Sequence, residues 1–385
     1  MQNDKTILIL LMALILVTYV TDGSNNRVQA FANTAIRNNI LAIIPVGDQP
    51  HEIAVNINTN MIYAANRLSD SISVIDGYTN TVVDTIPVGH FPIGVSVNPA
   101  TNFVYVASSS SGTISVIDGS TNTVVKTIAT GHSTDESAVN TITNTIYVTN
   151  AGDDTIDVID GSSNTVVDTI AAADHPSGIE LNPITNTVYV ANQLANTVSV
   201  IDGSMNIIVH TIGVGVQPSE LDVNPITNTI YVVNQNSDTV SVIDGSANTV
   251  IDTIVVGDQP LDVVVDANTN KVYVVNFASN SLSVIDGNTN TVIDTITITS
   301  AREIDFNPVT GRLYISNQER DTVTVLQINS LESRIDALET QTTDNTNRID
   351  ILETILNGLQ NTVTGLQDLV DRIASFPALK NFLGR

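Results

Sequence analysis

Residues 182–203 read Asn182-Pro183-Ile184-Thr185-Asn186-Thr187-Val188-Tyr189-Val190-Ala191-Asn192-Gln193-Leu194-Ala195-Asn196-Thr197-Val198-Ser199-Val200-Ile201-Asp202-Gly203. Two short runs of Val, Ala, Thr and Tyr, 187–192 and 197–201, are bounded by turn-forming residues, the pattern of half-buried β-strands. Immediately upstream, 178–182 reads as an inner strand, and 165–170 of the preceding copy as an outer one. Asp202-Gly203 predicts a turn. The Asp side chain can bond its own downstream backbone and Gly accepts positive φ, so this pair is read as turn chemistry and not as a ligand set.

The stretch is one copy of a repeat. Ile-Asp-Gly recurs every 42 residues, at Asp76, Asp118, Asp160, Asp202, Asp244 and Asp286. Tyr63, Tyr105, Tyr147, Tyr189, Tyr231 and Tyr273 keep the same step, and Tyr314 follows after 41. A period of this length, rich in short β-branched runs, marks a β-propeller in which each repeat forms one four-stranded blade. Seven tyrosines predict seven blades.

The ends of the array show how it closes. Residues 39–47 match the outer-strand segment that ends Ile86-Pro87-Val88-Gly89, yet no inner strand precedes them. The last copy has three strands, at 304–307, 313–317 and 322–327, and Gln327-Ile328 stand where Asp-Gly is due. The N-terminal strand is therefore expected to complete the last blade, removing the edges an open array would leave. The fold expected is all-β, a seven-bladed β-propeller over residues 38–328.

Tyr147-Val148-Thr149-Asn150, Tyr189-Val190-Ala191-Asn192, Tyr231-Val232-Val233-Asn234 and Tyr273-Val274-Val275-Asn276 resemble the YVTN repeat family of seven-bladed propellers, a group similar to archaeal surface-layer propeller proteins. The resemblance covers about three quarters of the chain. It implies the fold; propellers of this kind serve as adhesion modules, scaffolds and enzyme shells, so it does not by itself assign a function.

Composition narrows the classes. Forty acidic residues against 14 basic give a formal charge of −26, which argues against a nucleic-acid partner because phosphate neutralisation needs a basic face. There is no cysteine, which rules out disulfides, thiol catalysis and cysteine-held metals. No Asn-x-Ser/Thr sequon occurs despite the many asparagines, so no N-glycosylation is expected.

Residues 1–23 carry Lys5 and then a 15-residue apolar run over 6–20. That is shorter than the roughly 20 residues of a membrane span and suits a signal-peptide core. Cleavage is expected near Thr21-Asp22-Gly23 or at Ala30-Phe31-Ala32, with an uncleaved N-terminal anchor as the alternative and the only membrane contact. Residues 24–37 read as a linker. The location expected is extracellular, at the cell surface.

After Ile328 the period changes. Leu331, Ile335, Leu338, Thr342, Asn345, Ile349, Leu352, Leu356, Leu359, Val363, Leu366, Val370 and Ile373 alternate steps of four and three, a heptad seam. A coiled-coil stalk is expected over 329–375, followed by a tail over 376–385 that starts with Phe376-Pro377. Leu at most d positions and β-branched residues at most a positions suit a parallel dimer. Arg334 with Glu339 and Arg348 with Glu353 instead resemble the Arg-h-x-x-h-Glu trimerisation motif, and Asn345 would fix register, as a similar Asn does in trimeric surface adhesins. A homotrimer is favoured, with a dimer as the alternative.

Candidate site residues lie where the copies differ. Asp48, His90, His132, Asp174, Val216, Asp258 and Ser300 occupy one equivalent position, and Glu52, Gly94, Glu136, Gly178, Glu220, Asp262 and Glu303 another. These rows are expected to form a mixed His/carboxylate ring and an acidic ring around one channel mouth. The acidic ring (Glu52, Glu136, Glu220, Asp262, Glu303) could hold Ca²⁺ through oxygens, and His90, His132 and His175 a transition metal. The alternative is that these positions are polar because the mouth is wet, and no cofactor is expected.

Two function classes follow. The first is an exported, non-catalytic adhesion module clustered by the stalk, whose weak contacts with an envelope or extracellular protein or glycan add through multivalency. The alternative is an exported propeller enzyme, a lactone-acting or metal-dependent hydrolase or lyase with a channel-mouth site. A stalk over 331–373 would be a rod about 65 Å long at about 1.5 Å per residue. Light scattering on the full chain is expected to give three chains, and changing Arg334 and Arg348 together to Glu should lower that number. A monomer would remove the stalk.

Overall fold

The computed structural model describes residues 40–328. The expected signal segment or anchor, the linker, the stalk with Arg334, Glu339, Asn345, Arg348 and Glu353, and the tail lie outside the described residues. Within them, 28 strands form seven four-stranded antiparallel sheets. β1 (Ile40–Pro45) comes first; blade 1 is β2 (Pro50–Asn56), β3 (Met61–Asn66), β4 (Ser71–Asp76) and β5 (Thr81–Pro87), in that order from channel to rim. The next five blades repeat this order, with inner strands β6 (Pro92–Asn98), β10 (Thr134–Asn140), β14 (Pro176–Asn182), β18 (Pro218–Asn224) and β22 (Pro260–Asp266).

The seventh blade closes as its broken repeat requires. β26 (Ala301–Asn307), β27 (Arg312–Asn317) and β28 (Thr322–Gln327) are completed by β1, which pairs antiparallel with β28 from Ile40↔Leu326 to Pro45↔Thr322. Ile44 of β1 is buried with Ile53, Ile62, Tyr314 and Val323. Gln327 replaces the missing turn Asp by donating from Nε2 to the carbonyls of Thr310 and Gly311, at 3.0 and 2.9 Å.

Each hydrophobic cluster spans two blades. Tyr231, Val233, Val240 and Val242 of blade 5 pack on Val263, Val265, Val272 and Val274 of blade 6, so a blade alone would expose an apolar face. The buried tyrosines fill the largest of these positions. Asparagines then lock the blades laterally. The Asn that ends an inner strand donates to the Asn in the first turn of the next blade, as in Asn56→Asn102 and Asn224→Asn270 at 2.7 Å and, across the closure, Asn307→Asn60 at 2.8 Å. Those acceptor asparagines sit at positive φ, 60° at Asn102 and 52° at Asn270, which Asn tolerates because its short amide bonds locally. The seam between blades 6 and 7 lacks this link, since Asp266 and Gly311 occupy the two places.

The turn reading of Asp-Gly holds for the Asp and not for the Gly. Asp202 Oδ1 accepts from the Ser204 N–H at 2.8 Å, and Asp118 likewise from Ser120. Positive φ falls on the Asn four residues after the Asp, as at Asn206 and Asn290. Gly is needed for space: a Cβ at Gly203 would lie 2.8 Å from the Tyr147 hydroxyl, and one at Gly287 2.6 Å from that of Tyr231. At four seams the two repeat signatures are thus one contact, Tyr63, Tyr147, Tyr189 and Tyr231 each resting on the glycine of the next blade.

Closure through β1 generates a test. A chain beginning at Pro50 is expected to melt well below one beginning at Asn33, and Ile44→Ala in the full chain to cost about 2–5 kcal/mol. Equal melting temperatures for the two chains would defeat closure by the N-terminal strand.

Candidate functional site

Seven inner strands run side by side around the channel without forming a sheet. Each presents one edge of backbone N–H groups that no strand pairs, and these must find acceptors or water. Carboxylates of the neighbouring blade supply them. The Val95 N–H donates to Glu52 Oε2 at 2.5 Å and Ile304 to Asp262 Oδ2 at 2.7 Å. One step deeper, Val265 donates to Asp222 Oδ2 and Val55 to Asp305 Oδ2, both at 2.7 Å. In each case the acid of one blade takes the N–H one residue further along the next blade's inner strand. A buried backbone N–H left without such an acceptor would cost about 1–3 kcal/mol.

These acids line a channel cavity of about 230 Å³. Its upper tier holds Glu52, Glu136, Glu220 and Asp262, with Glu303 beside them; its lower tier holds Glu180, Asp222 and Asp305. Gly178 leaves room for the upper tier, since a Cβ there would collide with Glu220. Glu136, Glu220, Glu180 and Glu303 make none of the lateral bonds. Glu136 meets the Glu52 carboxyl, and Glu303 that of Asp262.

Burial raises every one of these acids, and repulsion from neighbouring acids adds to it at all but Asp305. Glu136 and Glu220 are pushed well above the usual range by burial and by each other's neighbours, Glu52 and Glu303 among them. Glu52, Asp222 and Asp262 are raised well above it, chiefly by burial, against the pull of the N–H groups they accept. Glu180, Glu303 and Asp305 are pushed to about 7, burial again being the largest cause. Asp135, beside the upper tier, reaches about 6 through burial. His51 goes the other way, held well below its ordinary value by burial and then by Arg302 and Arg67.

The two sequence-predicted rows do not share the mouth. The acidic row does face the channel. Asp48, His90, His132, Asp174, Val216 and Asp258 instead project from exposed loops between outer and inner strands, and only Ser300 is buried. The reason is the backbone: the residue that follows turns to positive φ, 51° at Gln49 and 62° at Phe91, swinging its predecessor outward before the inner strand begins. His90 Nδ1 lies 2.6 Å from Asp70 and His132 Nδ1 3.0 Å from Asp153. His175 donates its backbone N–H to Asp154 at 2.8 Å. Among the described residues no three His, Asp or Glu side chains are placed to hold a metal ion.

The lower tier escaped sequence reading, as did His51 and Arg302. Its signal was present: Asp222 and Asp305 lie two residues after Glu220 and Glu303, the β period that keeps a side chain on one face. Among the described residues no hydrolytic triad is assembled. Ser96 and Ser137 hydrogen-bond each other at 2.6 Å, and the half-buried His51 is 3.8 Å from Glu303.

Residues 33–140 and 136–251 match the family described as lactonase, 7-bladed beta-propeller, which together take in more than half of the chain. The chain belongs to this family. Among solved structures, a chain of Kuenenia stuttgartiensis hydrazine synthase is similar at TM-score 0.67 and 18% identity, over 72% of this chain and 95% of that one. At that identity the likeness is one of fold. No curated protein matches. Membership of the lactonase family fixes the seven-bladed architecture and leaves the activity to be argued from the site.

The raised acids give the lactonase-family propeller a definite pH response. A carboxyl whose folded pKa exceeds its unfolded value binds more protons folded than unfolded between the two, so its stability contribution falls as pH rises through that window. For Glu180, Glu303 and Asp305 the window runs from the usual carboxylate range to about 7. The lowered Asp70 and Asp153, each held down first by a backbone N–H, act only below that range. The melting temperature is expected to drop by several degrees from pH 5 to pH 8, and Glu180→Gln to flatten part of the drop. A melting temperature that rises over this interval would contradict the assignment.

Proposed function

We propose that this chain is an exported, non-catalytic interaction module of the cell surface, presenting one propeller face to an extracellular protein or glycan. One observation carries the reading. β1 starts and β28 ends on the same face, as the pairing Ile40↔Leu326 and the Ile328 N–H to the Gly311 carbonyl place them. The opposite face bears the outer-to-inner loops with His90 and His132 and the upper acidic tier, and it is the face proposed to meet the partner. The channel acids support the same reading, since four of them are occupied in holding neighbouring backbones.

A lactone-acting hydrolase is the second reading, and the family match favours it. Its residues would be Glu52 and Glu136, whose carboxyl groups meet in the channel and would serve as base and acid. Such a site would take a neutral lactone, because the surrounding acids repel a phosphorylated or carboxylated one. Ca²⁺ at the acidic tier belongs to this proposal as a water-bridged ion that relieves the carboxylate repulsion.

The two readings part in one set of assays. The full chain is expected to hydrolyse neutral γ- and δ-lactones at the buffer rate, with or without millimolar Ca²⁺. On arrays of extracellular glycans and envelope proteins it is expected to bind, and His90→Glu with His132→Glu should weaken that binding without shifting the melting temperature. Hydrolysis above the buffer rate that disappears in Glu136→Gln would overturn the non-catalytic reading.

A further inference from the structure

Every blade ends in an outer strand whose far edge has no strand partner among the described residues. Such edges invite pairing with other chains unless something blocks them. Six of the seven are blocked in the same way. At one register position they carry an ionisable residue followed by Thr: Asp84, Lys126, Asp168, His210, Asp252 and Asp294, each next to its Thr. β1 has Ala42-Ile43 there. Its register against β28, with Ile43 opposite Thr324, matches that of Thr85 opposite Ser73 in blade 1.

β1 therefore reads Ile-Leu-Ala-Ile-Ile-Pro, an outer strand without a polar side chain. Ile40, Leu41 and Ile43 stay 50%, 47% and 61% exposed. Beside the strand lies a groove of about 420 Å³, lined by Ile40, Ile43 and Ile298 together with four threonines, Asn317 and Arg320. An open edge flanked by a groove with aliphatic walls is what strand addition uses: main-chain hydrogen bonds join the strands and the groove receives alternate side chains.

We propose that β1 is a self-association edge, pairing antiparallel with β1 of a second copy of this chain. Self-complementarity argues for that occupant, since a second β1 brings the same aliphatic side chains that the groove accommodates. Charge argues for it too. At a net charge of −26 two copies repel over most of their surfaces, and β1 is the one outer strand in the described residues with no ionisable group. A single such edge per molecule closes on itself as a two-fold pair and does not propagate into a fibre.

The chain has no cysteine, so single cysteines report proximity cleanly. Leu41→Cys, Ala42→Cys and Ile43→Cys, made one at a time in the full chain, are compared with Val83→Cys, Asp84→Cys and Thr85→Cys at the same register of blade 1. Under mild oxidation at least one β1 variant is expected to form covalent dimers roughly tenfold faster than any blade 1 variant, because pairing raises the effective concentration of the two thiols. Adding Ala42→Asp with Ile43→Thr to Leu41→Cys should abolish the advantage while the melting transition persists. Equal rates on the two strands, or no dimer from β1, would overturn the proposal; the latter is the outcome if residues 24–39 of the same chain cover the edge.

Discussion

The constraint on which this structure rests is that the inner strands of a propeller cannot hydrogen-bond one another. Seven strands converge on the channel with their edges exposed to it, and each edge carries backbone N–H groups that would be costly to leave buried and unpaired. Acidic side chains reaching across the seams supply four of the missing acceptors, those of Val55, Val95, Val265 and Ile304. Burial in a narrow channel raises the pKa values of these acids, and their crowding adds to it. Lateral bonding accounts for four of them, Glu52, Asp222, Asp262 and Asp305, whereas Glu136, Glu180, Glu220 and Glu303 have no part in it.

Two further devices hold the ring, side by side at one end of the strands. Asparagines link the first turns of successive blades, and tyrosines rest their hydroxyls where the next blade's glycine leaves space. The links are sequential, blade to next blade, so the array must close to use the last one. β1 in the sheet of blade 7 and Asn307 against Asn60 perform that closure. The seam between blades 6 and 7, with Asp266 and Gly311 in place of the asparagine pair, is the exception to the pattern.

Much of this was legible in the sequence because a repeat states its geometry several times over. The blade count, the four-strand order and closure by residues near 40 all followed from spacing. The glycine of Ile-Asp-Gly was readable as a turn residue, but its physical reason lies in Tyr147 or Tyr231 of the preceding blade, a contact that no local pattern displays. The channel was half legible. Glu52 and its equivalents were found because copies differ there, whereas Glu180, Asp222 and Asp305 share their position with Ala54, Ser96, Ala138 and Val264 and looked like isolated changes. Placing Asp48, His90 and His132 at the mouth failed because a one-residue reversal to positive φ decides whether a side chain faces the channel or the solvent, and one sequence does not reveal it.

Amide hydrogen exchange at Val265, measured in the wild-type chain, Asp222→Ala and Asp222→Asn, tests most directly whether the channel acids hold the inner strands together. Asparagine keeps an acceptor oxygen at the right place and alanine does not. Much faster exchange of the Val265 amide in Asp222→Ala, with near wild-type protection in Asp222→Asn, is the result this account predicts. Unchanged protection in Asp222→Ala would contradict it.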